Sequence, residues 1–191
     1  MGADSLYAKY IKRFLDLIIG LVLLVIASPV FLIISICIIA SSGLPVIYKQ
    51  KRIGKNGEEF VILKFRTMVN GADKNGTSTA ANDLRITGIG KILRKTSLDE
   101  LPQLINVIRG DMSLVGFRPD VPRDGTDFTQ KKWMVRPGIT GYAQVNGRSN
   151  IGSLERLRMF ENLYSEEVSF KNDLKTMLKT IKIVFKSDGT N

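Results

Sequence analysis

Between Leu17 and Ala40 the chain carries no charged residue. At about 1.5 Å of rise per residue, such a run is long enough to cross a hydrocarbon core of roughly 30 Å. It is too long for a typical secretory signal, and no convincing small-residue cleavage site follows it. Two features decide how it meets a membrane. Ser28-Pro29 falls near its middle, and proline removes a backbone donor and crowds the preceding turn. Lys9, Lys12 and Arg13 precede the run, and Lys49, Lys51 and Arg52 follow it. Basic flanks stay in the cytoplasm, so both ends belong on one side. A re-entrant helix-break-helix, turned at Ser28 and Pro29, meets that requirement. A proline-kinked span is the alternative, since membranes tolerate one. Asp16, in the first apolar turn, is expected at interface level in either case.

Beyond the apolar run the pattern changes. Val46-Ile47-Tyr48 and Phe60 to Phe65 are rich in β-branched and aromatic residues, with Gly54-Lys55-Asn56-Gly57 between them. This predicts a β-hairpin. Residues 69–87 are polar and glycine-containing, hence a loop. A short helix is predicted over Ile89 to Arg94, and a second over Leu101 to Arg109 with Gly110 as its C-terminal stop. Pro119, Pro122, Pro137, Gly138, Gly141 and Gly147 make 116–150 a long, defined loop region, the kind that carries function. Near the C-terminus, Leu174, Met177, Leu178, Ile181, Val184 and Phe185 recur at helical spacing, with Lys171, Lys175, Lys179, Lys182 and Lys186 over much of the other face. Such a helix either lies on an anionic membrane surface or covers the domain core with a solvated lysine face. No internal repeat or second domain is visible.

Composition narrows the chemistry. The 191 residues carry 28 Lys and Arg against 18 Asp and Glu, a net charge of +10, which favours anionic partners. There is no histidine, so the commonest general base and metal ligand are missing. The single cysteine, Cys37, sits in the apolar run, where a thiol is unreactive. Carboxylates, hydroxyls, Lys and Arg remain, with a hard metal such as Mg²⁺.

Asp99-Glu100, within Ser97-Leu98-Asp99-Glu100-Leu101-Pro102, is the sharpest candidate. One reading is structural: Ser97 and Glu100 fit a capping box, and acids in a first turn complement the helix dipole. Pro102 opposes its simple form, because it would leave a carbonyl unpaired inside the helix. If the helix starts near Pro102 instead, both acids stand ahead of its N-terminus, which lowers carboxylate pKa values and attracts phosphate and its metal. A second constellation is basic. Arg118, Arg136 and Arg148 each adjoin glycine or proline, Lys64 and Arg66 follow the hairpin, and Arg94 precedes Asp99. Guanidinium groups held at rigid turns bind phosphate bidentately.

On these residues the sequence resembles the monotopic phosphoglycosyl transferases, the bacterial sugar transferase family, in its minimal form. The carrying segments are Lys64 to Met68, Ser97 to Val107, Arg109 to Gly116 and Val135 to Arg148, in order over nearly the whole chain. One departure is Gly116-Phe117-Arg118-Pro119, where the family usually has Gly-Pro-Arg-Pro; the arginine remains. The resemblance implies an α/β fold: a membrane-embedded re-entrant helix over 1–43, broken at Ser28-Pro29, then a compact catalytic domain over 44–191 with a small hairpin and interfacial amphipathic helices. It implies Asp99 as nucleophile on a UDP-sugar, release of UMP, and transfer of the sugar-phosphate to polyprenyl phosphate at the cytoplasmic face of the bacterial inner membrane. Glu100 is expected to coordinate Mg²⁺ with Asp99 or to handle the acceptor's proton. Lys64, Arg66, Arg94, Arg118, Arg136 and Arg148 are expected phosphate or nucleotide-sugar contacts, with Gln144 and Asn146 against uracil or sugar. Membrane lipid is an expected partner, nucleic acid is not, and a homodimer is compatible with the pattern. Two rival readings differ in chemistry. A membrane-tethered basic binding module would interleave aromatics with its cations, which one Trp and five Tyr do poorly. A direct transferase would use Asp99 only as a metal ligand.

Overall fold

The computed structural model describes residues 2–72, 83–147 and 154–185. A π-helical turn, Tyr7–Ile11, leads into α1, Lys12–Ser42. Helix α1 continues through Pro29 rather than breaking there. A proline at 29 strips the carbonyl of Val25 of its usual donor four residues on. The Ser28 hydroxyl donates to that same carbonyl at 2.8 Å. The serine restores the lost bond, so Ser28-Pro29 is no interruption of the helix, contrary to the helix-break-helix expected from sequence.

The hairpin forms as predicted. Strands β1 (Ile47–Ile53) and β2 (Glu59–Phe65) pair antiparallel, with Tyr48 opposite Lys64 and Arg52 opposite Phe60. The turn between them places Asn56 at φ 56° and Gly57 at φ 80°, a conformation that these residue types tolerate. Helix α2 (Gly88–Thr96) is capped by Thr87, whose hydroxyl accepts from Gly90 N at 3.0 Å. Helix α3 (Gln103–Arg109) ends at Gly110 in the left-handed region, φ 98°. Within the expected loop region lie two short strands, β3 (Ser113–Val115) and β4 (Gly138–Thr140), which pair in parallel. Their backbones are so close that a Cβ on Gly138 would stand 2.1 Å from Gly116 N, and one on Gly141 would stand 1.8 Å from Gly116 O. That crowding explains the glycine density which reads as loop. Helices α4 (Tyr142–Gly147), α5 (Leu154–Glu166) and α6 (Phe170–Phe185) complete the described chain.

Two apolar clusters hold these elements. One joins Val107, Met112, Val115, Phe117, Trp133, Tyr164 and Val168. The other packs Ile34 and Ile38 of α1 on Phe65 and Leu93. Phe117, the departure from the family pattern, is buried edge-on against Trp133 with ring centroids 5.2 Å apart.

The polar interior is as specific. Asp173 of α6 accepts from Lys12 Nζ at 2.6 Å, Tyr7 at 2.8 Å and Tyr164 at 2.8 Å. Asp16, expected at the membrane interface, is instead buried. It accepts from Ser113 Oγ at 2.7 Å and Leu114 N at 3.1 Å, satisfying donors of β3 that would otherwise be stranded in the core.

Helix α6 separates its two sequence readings. Asp173, Thr176 and Met177 face inward, and Thr180 hydrogen-bonds Thr140 at 2.7 Å. Leu174, Leu178 and Ile181 are exposed, Leu178 by 58%. Its apolar stripe therefore faces away from the domain, not into the core.

Asp173→Ala should lower folding stability by about 3–5 kcal/mol, because it leaves the buried Lys12 ammonium with only Asp16, 4.0 Å away, as a counter-charge. Chemical denaturation of the variant beside the wild type checks this.

Candidate active site

Ser97 adopts the left-handed conformation, φ 57°, and so ends α2 abruptly. A single 3₁₀ turn, Leu98–Glu100, follows, and Pro102 is the N-cap of α3. Ser97 makes no side-chain cap bond, so the capping box does not form. Asp99 and Glu100 stand just ahead of a helix, the second of the two sequence readings.

Their surroundings differ. Glu100 receives Lys64 Nζ at 2.8 Å. Asp99 is half-buried, and its pKa rises from 3.8 to about 6. Burial is the main cause; the Glu100 charge adds to it, while Lys64 and Arg94 oppose it. Arg94 is fixed by a 2.9 Å bond from its Nε to Thr67 Oγ1.

One face of the hairpin supplies the cationic wall. Residues paired across β1 and β2 share a face, so the Arg52–Phe60 and Tyr48–Lys64 pairs set Arg52 and Lys64 on the same side. There they line a cleft with Glu100, Gln103, Arg118 and Gln144. Arg118 is positioned by a braced loop. Its backbone N–H donates to Glu161 at 3.3 Å, and Lys132 joins Asp120 at 2.6 Å to Glu161 at 2.9 Å. Arg52 donates to the Pro119 carbonyl at 3.0 Å, fastening the hairpin to the same loop. Burial and the neighbouring Arg118 charge both lower the pKa of Arg52. Two guanidinium groups with too little negative charge between them make a receptor for phosphate. The Arg52 Nε and the Gln144 Oε1 are buried with no hydrogen-bond partner among the described residues.

Lys64, Arg118 and Gln144 thus line one cleft with Glu100, while Lys64 and Arg94 act on the adjoining Asp99. Other predicted contacts do not. Arg66 is buried under the end of α1, where its Nη2 donates to Ser42 O at 2.8 Å and to the Gly43 carbonyl. A cation beside terminal carbonyls complements the helix dipole, which explains the placement. Arg136 donates to the Gly110 carbonyl at 2.8 Å and lines a different cavity. Asn146 is exposed and accepts from Lys179 at 2.6 Å. Arg148 lies outside the described residues, as does most of the 69–87 loop. Arg52 and Gln103 were not anticipated. The alternation along β1, in register with Lys64, carried the signal for Arg52.

Among the described residues no group of three or more acidic, His or Cys side chains could enclose a metal ion. Two adjacent carboxylates are nonetheless what Mg²⁺ uses when a substrate diphosphate supplies further oxygens. Burial also leaves the Asp99 charge poorly solvated, a cost that a bound cation would offset. The donor set therefore fits a hard divalent cation bound together with substrate.

A carboxylate ahead of a short helix thus stands beside a wall of Lys and Arg, in a chain whose Tyr7–Ser42 helix is long and apolar enough to cross a membrane. The bacterial sugar transferase model matches residues 7–187, and the chain belongs to that family. Similar proteins include the undecaprenyl-phosphate galactose phosphotransferase of Salmonella typhimurium, 36% identical over 95% of this chain and 42% of that protein. The UDP-glucose:undecaprenyl-phosphate glucose-1-phosphate transferase of Escherichia coli is 39% identical over 91% of this chain and 40% of its own length. The exopolysaccharide production protein ExoY of Rhizobium meliloti is 38% identical, with 94% and 87% covered. The chain thus spans less than half of the first two relatives and most of the third.

The electrostatics of Asp99 give a stability prediction. Its pKa is raised in the folded state, so folding is favoured below about pH 4 and loses stability as pH rises through about 6. In EDTA, Asp99→Asn should therefore be more stable than wild type at pH 7.5. With allowance for solvent screening, the gain is about 1–2 kcal/mol. The gain should vanish near pH 4; thermal melts across this range measure it.

Proposed function

We propose that this chain transfers a sugar-1-phosphate from a UDP-sugar to a polyprenyl phosphate at the cytoplasmic face of the bacterial inner membrane, releasing UMP. The observation that carries the reading is the half-buried Asp99 carboxylate beside a cleft walled by Lys64, Arg52 and Arg118, with the Arg94 charge acting on it.

In the first step an Asp99 oxygen attacks the sugar-bearing phosphorus. The bond from that phosphorus to the bridging oxygen breaks, and UMP leaves with the electron pair. The product is an aspartyl-phosphosugar ester. In the second step an oxygen of polyprenyl phosphate attacks the same phosphorus and displaces the Asp99 carboxylate. Polyprenyl-diphosphate-sugar forms and Asp99 is regenerated. Splitting one displacement into two is a general use of carboxylate nucleophiles. Arg52 and Arg118 hold the diphosphate in line, and Lys64 pairs with Glu100 beside the reacting phosphorus. Arg94 keeps Asp99 available as carboxylate. Mg²⁺, held by Asp99 and Glu100 with phosphate oxygens, would neutralise charge on the transferring group. No step needs histidine.

Helix α1 supports a monotopic placement. Near its start, Arg13 donates to the Val107 and Ile108 carbonyls at 2.6 and 2.8 Å. Its last residue, Ser42, is held by Arg66 at 2.8 Å. Gly20 and Ile34 are buried, and no residue between them is. That stretch of about 13 residues covers about 20 Å, short of a bilayer core. Helix α1, unbroken and fastened to the domain near both ends, therefore lays its exposed middle in one leaflet, and the exposed stripe of α6 rests on the same membrane. This arrangement presents Asp99 to an acceptor whose phosphate lies at the interface.

The test uses the full chain in nanodiscs with undecaprenyl phosphate, Mg²⁺ and a panel of UDP-sugars. UMP should appear with one or a few donors, and Asp99→Asn should lower the rate by at least about 10³-fold. Without acceptor, labelled phosphosugar should remain on the wild-type protein and be absent from Asp99→Asn. Release of UMP with no trapped label would replace the covalent route by direct displacement. No release from any donor by folded protein would overturn the assignment.

A further inference from the structure

A second cavity, of about 230 Å³, lies away from Asp99, between the N-terminal segment, the hairpin tip and the strand that leads to β4. It is lined by Lys9, Lys12, Lys55 and Arg136, with Asp4 and Asp16. Most of these charges are already matched. Lys9 pairs with Asp4 at 3.1 Å, and Lys12 pairs with Asp173 at 2.6 Å. Asp16 spends its oxygens on Ser113 and Leu114. Lys55 and Arg136 are different: among the described residues neither forms an ion pair with a carboxylate. Lys55 titrates below its ordinary range, through burial first and then through Arg136 and Lys9. Two cations line one concavity whose own carboxylates, Asp4 and Asp16, are engaged with Lys9 and with Ser113 and Leu114, an arrangement that a phosphate group would complete.

Size and position limit the ligand. Pockets for whole organic ligands usually measure roughly 300–1,000 Å³. A cavity of about 230 Å³ suits a headgroup-sized anion better than a nucleotide-sugar. It adjoins the segment whose Leu6, Tyr10 and Phe14 are exposed, 70%, 68% and 62% respectively. An apolar helix face beside a cationic hollow is how a protein meets the phosphate layer of a membrane.

We propose that Lys55 and Arg136, with Lys9 at the rim, form a second phosphate-binding site separate from the Asp99 cleft. The group bound is either the phosphate of an anionic lipid or free phosphate. The site's role is to fix the angle at which the N-terminal segment rests on the membrane, so that it acts on docking and not on the transfer step.

The full chain in nanodiscs separates these possibilities. Binding of spin-labelled phosphatidylglycerol, with phosphatidylcholine as reference, is measured with excess UDP present to occupy the Asp99 cleft. Orthophosphate binding is measured in parallel in detergent. One of the two probes should bind the wild type in the presence of UDP. Lys55→Glu should weaken that binding about tenfold, the loss of one charge-assisted contact with added repulsion. Lys49→Glu makes the same charge change on the exposed hairpin and should leave it unchanged. Preference for phosphatidylglycerol identifies a lipid headgroup as the source; orthophosphate binding alone identifies the free anion. Arg136→Gln should reproduce the loss, but it also forfeits a bond to Gly110, so the exposed Lys55 carries the test. Equal loss in Lys49→Glu, no loss in Lys55→Glu, or displacement of both probes by UDP would overturn the proposal. These readouts do not depend on which donor the Asp99 cleft takes, or on whether it turns over.

Discussion

The ion pair between Lys12 and Asp173 joins the first long helix to the last one. Both side chains are almost wholly withdrawn from water, and Tyr7 and Tyr164 complete the shell of the carboxylate. A pair so deeply buried adds little net stability over an apolar substitute, but it tolerates no mispairing. Its effect here is register. With Lys12 fixed, Asp16 one turn on meets the donors of β3, and Gly20 meets Val107 of α3. Arg13 reaches the carbonyls at the end of α3. The same short helix carries the Asp99 turn at its other end. The apolar helix and the Asp99 turn are thus opposite ends of one braced unit, and neither can shift without the other.

The active site sets local stability against chemistry. A capping acid would lie easily at a helix start, fully ionised and solvated. Asp99 instead is half-buried beside Glu100, in a place where its charge is costly without further cations. Nearby, Arg52 and Arg118 crowd one another across the hairpin and the braced loop. Negative and positive groups are each left with less compensation than folding alone would favour. Under the proposed function, an anionic diphosphate would relieve the two arginines and a cation bound with it would relieve the carboxylate, which would make binding energy available for positioning.

Much of this was legible in the sequence. The hairpin followed from two β-rich runs around a glycine-bounded turn, and α3 from Pro102 and Gly110. Asp99 and Glu100 stood out because Pro102 fits poorly in a helix begun at Ser97. The strands β3 and β4 were hidden, since three residues each give no alternation to see and their glycines imitate a loop. Arg66 and Arg136 lie away from the cleft for a simple reason. An arginine beside a turn donates to whatever carbonyl groups the fold brings near, and only the tertiary positions of Ser42 and Gly110 show where each one is held. The apolar spacing of α6 was correct, but its direction was not readable. A stripe at helical period does not say whether it faces a core or a bilayer.

The hydroxyl of Ser28 has a wider consequence. In helical membrane proteins a proline's orphaned carbonyl is commonly satisfied by a neighbouring helix or a trapped water. Here the donor comes from the adjacent residue. The apolar segment therefore carries its own repair and enters lipid with its backbone already complete at that turn. In a bilayer such a helix would not have to wait for a second one to satisfy that turn, so it could be delivered to the membrane before the domain packed beside it folds.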